Sequence, residues 1–151
     1  MKDWEIKLGY TCTSSSSPLP YFEPFCGMCS VMKHFSTPGD RLCEASDINE
    51  DLILMWKTIQ TGWDPPTECT EEYYYQLKEQ EESSPERAFI SVVASYGCVF
   101  FGRACRLKYQ TKFDYVLQGY NAIQKIRPDI QDVKFLDASN YTSHNPNGYL
   151  V

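Results

Sequence analysis

Apolar positions along this chain change their spacing several times, and each change marks an element. Tyr21-Phe22-Glu23-Pro24-Phe25-Cys26 is a short aromatic run ending at Gly27, which predicts a buried strand entering a tight turn, with Pro24 at its edge. Residues 30–35 read as helical, and residues 41–46 as a second strand followed by Asp47-Ile48-Asn49. Leu52, Ile53, Met55, Trp56 and Ile59 recur at helical spacing across residues 50–61, until Gly62 and Pro65-Pro66 stop the run. Residues 88–101 are apolar and small, which predicts a buried helix with a glycine turn near Gly97 or Gly102. Helical spacing returns over residues 115–126 and ends before Pro128; residues 133–136 read as a strand, and Tyr149-Leu150-Val151 as the start of another. Ahead of all this, the serines and prolines of residues 12–20 form a loop. Strand, helix, strand, helix, a charged and helical insertion, then strand is the order of an α/β sheet interrupted by an inserted segment.

Composition changes this picture little, but charge changes it more. The chain has 151 residues, 42% hydrophobic and 23% charged, the profile of one globular domain. Its net charge of −6 argues on average against a nucleic-acid partner. The charges are segregated, however: residues 68–86 hold seven acids and one lysine, a segment expected to be solvated, whereas residues 103–127 hold six bases and one acid. No apolar run approaches the roughly 18 residues of a membrane span. The start, Met1-Lys2-Asp3-Trp4-Glu5, lacks the apolar core of a secretion signal, so an intracellular, non-secreted chain without a membrane partner is expected. Seven cysteines, an odd number, then read as reduced thiols rather than a disulfide framework.

The chemistry concentrates where the first two strands end. Gly27 follows the first strand, and Asp47 lies twenty residues later at the end of the second. This is the arrangement of a nucleoside site, in which a glycine lets backbone approach the ligand and an acid accepts hydrogen bonds from ribose hydroxyls. Asp47 also stands where a helix N-cap belongs, and the two roles are compatible. Taken alone, Phe25 and Ile48 read as core residues. Cys26-Gly27-Met28-Cys29 is similar to the Cys-Gly-x-Cys string of papain-like cysteine proteases, with His34 and His144 as the available histidines, but Ser30 stands where that string needs an aromatic. A zinc site on Cys26 and Cys29 would need a second close pair, and Cys12, Cys43 and Cys69 are scattered; no metal is expected.

The full strings are more specific. Tyr21-Phe22-Glu23-Pro24-Phe25-Cys26-Gly27 followed by Ala45-Ser46-Asp47-Ile48-Asn49 resembles the first two motifs of the Dam-type (class alpha) adenine-specific DNA methyltransferases, the virus- and phage-encoded members most closely. The resemblance continues through Trp56-Lys57, Gly62-Trp63, Pro65-Pro66, Tyr73 to Tyr75, Ser95-Tyr96-Gly97-Cys98, Phe100-Phe101-Gly102, Tyr120-Asn121-Ala122 and Val133-Lys134-Phe135, and so covers the chain from Tyr21 onward. It implies a partial Rossmann-like methyltransferase fold carrying a mostly helical DNA-recognition insertion. The implied parts are an N-terminal loop segment at 1–20, the S-adenosyl-L-methionine motifs at 21–66, the insertion at 67–128, and the third strand with the start of a fourth at 129–151. Glu23, Phe25 and Gly27 would line the methionine and ribose side of the cofactor, Asp47 would bind the ribose, and Ile48 would cover the adenine. The family's third, acidic contact falls in Leu136-Asp137-Ala138-Ser139-Asn140-Tyr141, with Asp137 or Asn140 as candidates. Arg103, Arg106, Lys108 and Lys112 would meet double-stranded DNA.

The family's catalytic Asp-Pro-Pro-aromatic string is expected just after Val151. The resemblance therefore implies a fragment with no catalytic residue of its own, inactive alone, with a complementary C-terminal piece or a cofactor- or DNA-binding remnant as the options. It would also leave a central strand near Tyr21 to Phe25 short of a neighbour. Asp64-Pro65-Pro66-Thr67 lacks the aromatic and follows a helix, so it reads as a structural turn.

Overall fold

The computed structural model describes residues 19–36, 39, 41–105 and 114–137. Three parallel strands form its sheet: β1 (Tyr21–Glu23), β2 (Cys43–Asp47) and β3 (Val133–Asp137), in the order β1-β2-β3. The register pairs Tyr21 with Cys43 and Glu23 with Ala45 on one side of β2, and Cys43 with Val133 and Asp47 with Asp137 on the other. The α/β expectation therefore holds at the level of a small parallel sheet with helices. Among the described residues β2 lies between the other two strands, and β1 has β2 as its one neighbour. β2 suits that place: Cys43, Ala45, Ser46 and Asp47 are all buried, and small side chains let both faces be covered. β1 stops after three residues, where Pro24 brings no N–H to the ladder. The last predicted strand, at Tyr149 to Val151, lies outside the described residues.

The helix expected over residues 30–35 is only a 3-10 turn, Met32–His34. Cys29 precedes it in the left-handed region at φ 53°, and the Ser36 hydroxyl takes the Met32 carbonyl at 2.9 Å. The Phe35 ring turns back to stack on Tyr21, with centroids 4.1 Å apart, so the chain is drawn onto the sheet before a second turn can form.

Four α-helices follow: α1 (Glu50–Gln60), α2 (Glu71–Glu79), α3 (Pro85–Val93) and α4 (Tyr115–Ile126). Each begins with a side-chain cap, from Asn49, Thr70, Ser84 and Asp114 in turn, and Pro85 occupies the first turn of α3, where its missing N–H is harmless. The α1 cap is thus Asn49 and not Asp47, which frees Asp47 for other bonds. α1 buries Leu52, Ile53, Met55, Trp56 and Ile59, an unusually wide stripe. It needs that width because it touches β2 and β3 on one side and α3 on the other. Trp56 stacks on Phe135 of β3, and the Gln60 amide donates to the carbonyls of Ile130 and Val133 at 2.7 Å.

α2 and α4 pack on α3. The acidic segment is therefore not simply solvated: α2 drives Tyr74 and Leu77 into the core while its glutamates face out. The apolar run expected as one helix through residue 101 ends as α-helix at Val93. Beyond it Ser95 bonds Ser91 O at 2.5 Å and the Tyr74 hydroxyl at 2.7 Å, and the chain turns at Gly97 with φ 68°. No helix among the described residues is long and apolar enough to cross a membrane.

Candidate functional site

Because all three strands run the same way, Glu23, Asp47 and Asp137 lie at the carboxyl ends of their strands, on the carboxyl edge of the sheet, with Glu23 two residues short of the level of the other two. Ligands of open parallel sheets bind in the crevice outside this edge. The β1 exit is fastened across it: Cys26 N–H donates to Ser46 O at 3.0 Å, and the Ser46 hydroxyl donates to Pro24 O at 3.3 Å. Gly27 then enters the left-handed region at φ 46°, where an added Cβ would meet nothing within 4 Å. Its N–H donates to Asp47 Oδ2 at 2.9 Å, and its carbonyl accepts from the Trp56 indole at 2.8 Å. Asn49 N–H donates to Asp47 Oδ1 at 2.9 Å. A single carboxylate thus holds the glycine turn and the start of α1 together, leaving open space above the glycine. Each of its oxygens has a second acceptor position, so these two bonds do not exhaust Asp47.

Phe25 and Ile48 flank this turn at 78% and 81% exposure. Their reading as core residues is wrong; the chain presents two apolar side chains to solvent beside the open glycine. Glu23 is half-buried, and its Oε2 is sealed from solvent with no hydrogen-bond partner. Burial pushes its carboxyl up to about 6, partly offset by a backbone hydrogen bond from Met32. Asp137 pairs with Lys57 at 3.1 Å at the outer end of β3, with both side chains about half exposed. Asn140 lies outside the described residues.

The cysteine-protease reading has no nucleophile. Cys26 and Cys29 are 3% and 0% exposed, and burial, then the contact with Cys26, pushes the Cys29 thiol up, away from the reactive thiolate. All six described cysteines are free thiols. Asp64, of the Asp-Pro-Pro-Thr string, accepts from Arg127 Nη2 at 2.5 Å and Gln124 Nε2 at 2.7 Å, tying the turn after α1 to the end of α4.

Among the residues assigned to DNA, Arg103 is exposed on the loop after α3, while Arg106, Lys108 and Lys112 lie outside the described residues. Two residues escaped the sequence reading. Trp56 reads as one more apolar position, yet its indole N–H holds the Gly27 carbonyl; a buried tryptophan usually finds such a partner, which is the available signal. Arg87 gave none. It pairs with the buried carboxylate of Asp51, donates to the carbonyls of Leu77 and Gln80 at 3.1 and 3.0 Å, and lies 4.8 Å over the Phe101 ring and 5.6 Å over Phe100. Asp51 N–H is in turn held by Asn49. Short contacts therefore run from Asp47 through Asn49, Asp51 and Arg87 into the inserted helices.

Compared with known families, residues 13–146 match the model of the D12 class N6 adenine-specific DNA methyltransferases. No curated protein matches the chain.

Proposed function

The chain belongs to the D12 class N6 adenine-specific DNA methyltransferase family, and on that premise we propose that the carboxyl edge of its sheet binds S-adenosyl-L-methionine in a Rossmann-like manner. Members of the family are enzymes that methylate the exocyclic amine of adenine in DNA. The observation that carries the proposal is the Asp47 carboxylate bonded to Gly27 N–H beneath an open space that any Cβ would narrow. The residues fit the group. Asp47 offers its remaining acceptor positions to the ribose hydroxyls, and Ile48 and Phe25 provide apolar cover for the adenine and the flanking chain. Glu23 offers a buried, unpaired oxygen to the methionine ammonium, a cation that would complete it. Asp137, at the end of β3, closes the far side of the crevice.

When bound, the cofactor supplies an electrophilic methyl group on a sulfonium. The work of this chain is to hold that group still and dry: the turn is pinned at both its N–H and its carbonyl, so binding orders little additional backbone. Arg103, with Arg106, Lys108 and Lys112, supplies cations for the phosphates of duplex DNA.

Calorimetric titration of S-adenosyl-L-methionine tests the assignment. Asp47→Ala is expected to weaken binding by about tenfold or more, equivalent to about 1.4 kcal/mol per decade. Asp64→Ala, which removes contacts only between the turn after α1 and the end of α4, should leave the affinity unchanged. Equal affinities for wild type and Asp47→Ala would remove Asp47 from the site.

A further inference from the structure

We infer that Cys26 and Cys29 form a modification site, a dithiol that a peroxide closes to an intramolecular disulfide, drawing in the turn that carries Gly27. The consequence for cofactor binding rests on the S-adenosyl-L-methionine reading; the chemistry stands on the two thiols alone. Cys29 N–H donates to Cys26 O at 2.7 Å, which closes a turn over Gly27 and Met28. Such a turn holds its end Cα atoms within about 7 Å, and disulfides span Cα separations of about 4.4–6.8 Å. The side chains meet as well: the Cys29 thiol is in hydrogen-bonding contact with Cys26, and the two residues are 0% and 3% exposed. Both are free thiols. Cys43, also buried, instead turns its thiol to Phe35 O at 3.8 Å.

Cys29 keeps its place at φ 53°, a left-handed conformation that a glycine enters without cost. Strain of this kind persists where the surroundings over-determine it, here through the bond to Cys26 O and the enclosure of the thiol. Burial disfavours a thiolate at Cys29, yet a disulfide carries no charge and suits the same apolar surroundings. The residues on either side reach solvent, Phe25 at 78% and Val31 at 49% exposure, so a local opening of the turn admits a small oxidant.

One sulfur then attacks a peroxide oxygen. The O–O bond breaks, the departing hydroxide takes the thiol proton and leaves as water, and a sulfenic acid remains. The second sulfur attacks the first, the S–O bond breaks, and the hydroxyl leaves with the second thiol proton as another water. The two thiols lose two electrons, and one peroxide is reduced to two waters. Bonded sulfurs stand about 2 Å apart, closer than thiols in hydrogen-bonding contact, so the turn between them must contract. Gly27 lies inside that turn, with its N–H on Asp47 Oδ2 and its carbonyl on the Trp56 indole. Contraction pulls on both bonds, at the backbone that faces the cofactor. By linkage, bound cofactor opposes the disulfide to the same degree.

The test treats the full chain with hydrogen peroxide, alkylates the remaining thiols after unfolding, and maps disulfides by mass spectrometry, beside calorimetric titration of S-adenosyl-L-methionine. Cys26 and Cys29 are expected to be linked to each other. The oxidised chain is expected to bind the cofactor about tenfold more weakly, within the usual range of coupling between sites. Dithiothreitol should restore the affinity, which separates the disulfide from methionine oxidation. Cys29→Gly, which relaxes the left-handed position, and Cys26→Ser should each bind equally before and after peroxide. Cys98→Ser, at an exposed thiol, should respond as the wild type does. Absence of the Cys26–Cys29 link, or an equal loss of affinity in Cys29→Gly, would overturn the inference. A mapped link that leaves the affinity unchanged would overturn its effect on the turn. A reduced chain that binds no cofactor would overturn the cofactor reading instead, with the mapped link still deciding the dithiol site.

Discussion

The carboxyl edge of the sheet and the inserted helices are held by different mixtures of contact. At the edge, side chains hold backbone: Asp47 takes the N–H groups of Gly27 and Asn49, and Trp56 takes the Gly27 carbonyl. In the insertion, side chains hold one another as well as backbone, with Arg87 at the junction of Asp51, Phe100 and Phe101, and Tyr74 bonded to Ser95. The first arrangement shapes a turn with open space above it. The second ties α2 and α3 to α1. The first fixes backbone at a solvent-facing turn, whereas the second fixes helix against helix.

Arg87 carries the largest single share of the contacts at the junction of the insertion with α1. Arg87→Met strands the buried Asp51 carboxylate, whose Oδ1 already lacks a partner, and removes two bonds to backbone carbonyls. Breaking one side of a buried ion pair costs about 3–5 kcal/mol. Urea denaturation is expected to show a loss of that size, and a loss below about 1 kcal/mol would mean that the insertion does not depend on this junction.

Two glycines sharpen the same contrast. At Gly119 of α4 an added Cβ would stand 2.6 Å from Val93 Cγ1 and 2.9 Å from its Cβ, so Gly119→Ala forces α3 and α4 apart. Overpacking of about 1–3 kcal/mol is expected to outweigh the helix propensity gained, about 1 kcal/mol. Gly27→Ala meets no atom and should lose only the roughly 1 kcal/mol of a left-handed residue, while narrowing the crevice. Thermal melts of the two variants separate crowding from backbone strain. If Gly119→Ala is the more stable of the two, the close packing of α3 on α4 is wrong.

Glu23→Gln has the smallest expected effect on stability, and its sign is informative. The Glu23 carboxyl titrates near 6 in the folded chain, above the ordinary value of 4.5, because burial disfavours its charge. Its contribution to stability is therefore fully present below about pH 4.5 and is lost as pH rises through about 6. Above that range the charged side chain opposes folding, and the glutamine variant should be the more stable by under about 1 kcal/mol, since water still screens a half-buried group. Below about pH 4.5 the two should converge. The same substitution should weaken S-adenosyl-L-methionine at pH 8, measured by calorimetry; unchanged affinity would leave the buried oxygen without a ligand role.

What the sequence determined by itself was everything carried by short spacing. The twenty-residue interval from Gly27 to Asp47 and the strands on either side of β2 could be read directly, as could the limits of α4 at Tyr115 and Ile126. Each depends on periodicity, a cap or a breaker within a single element or one crossover, and such forces act on neighbours along the chain. Tertiary structure decided the rest, because burial depends on which surfaces meet. It turned Phe25 and Ile48 outward although their residue types suit a core, and it drew Tyr74 inward from an acidic segment. It cut the helix expected before β2 to a single turn once Phe35 found Tyr21. Arg87, one charge among many in the sequence, became a junction only because Asp51, thirty-six residues earlier, was buried beside it.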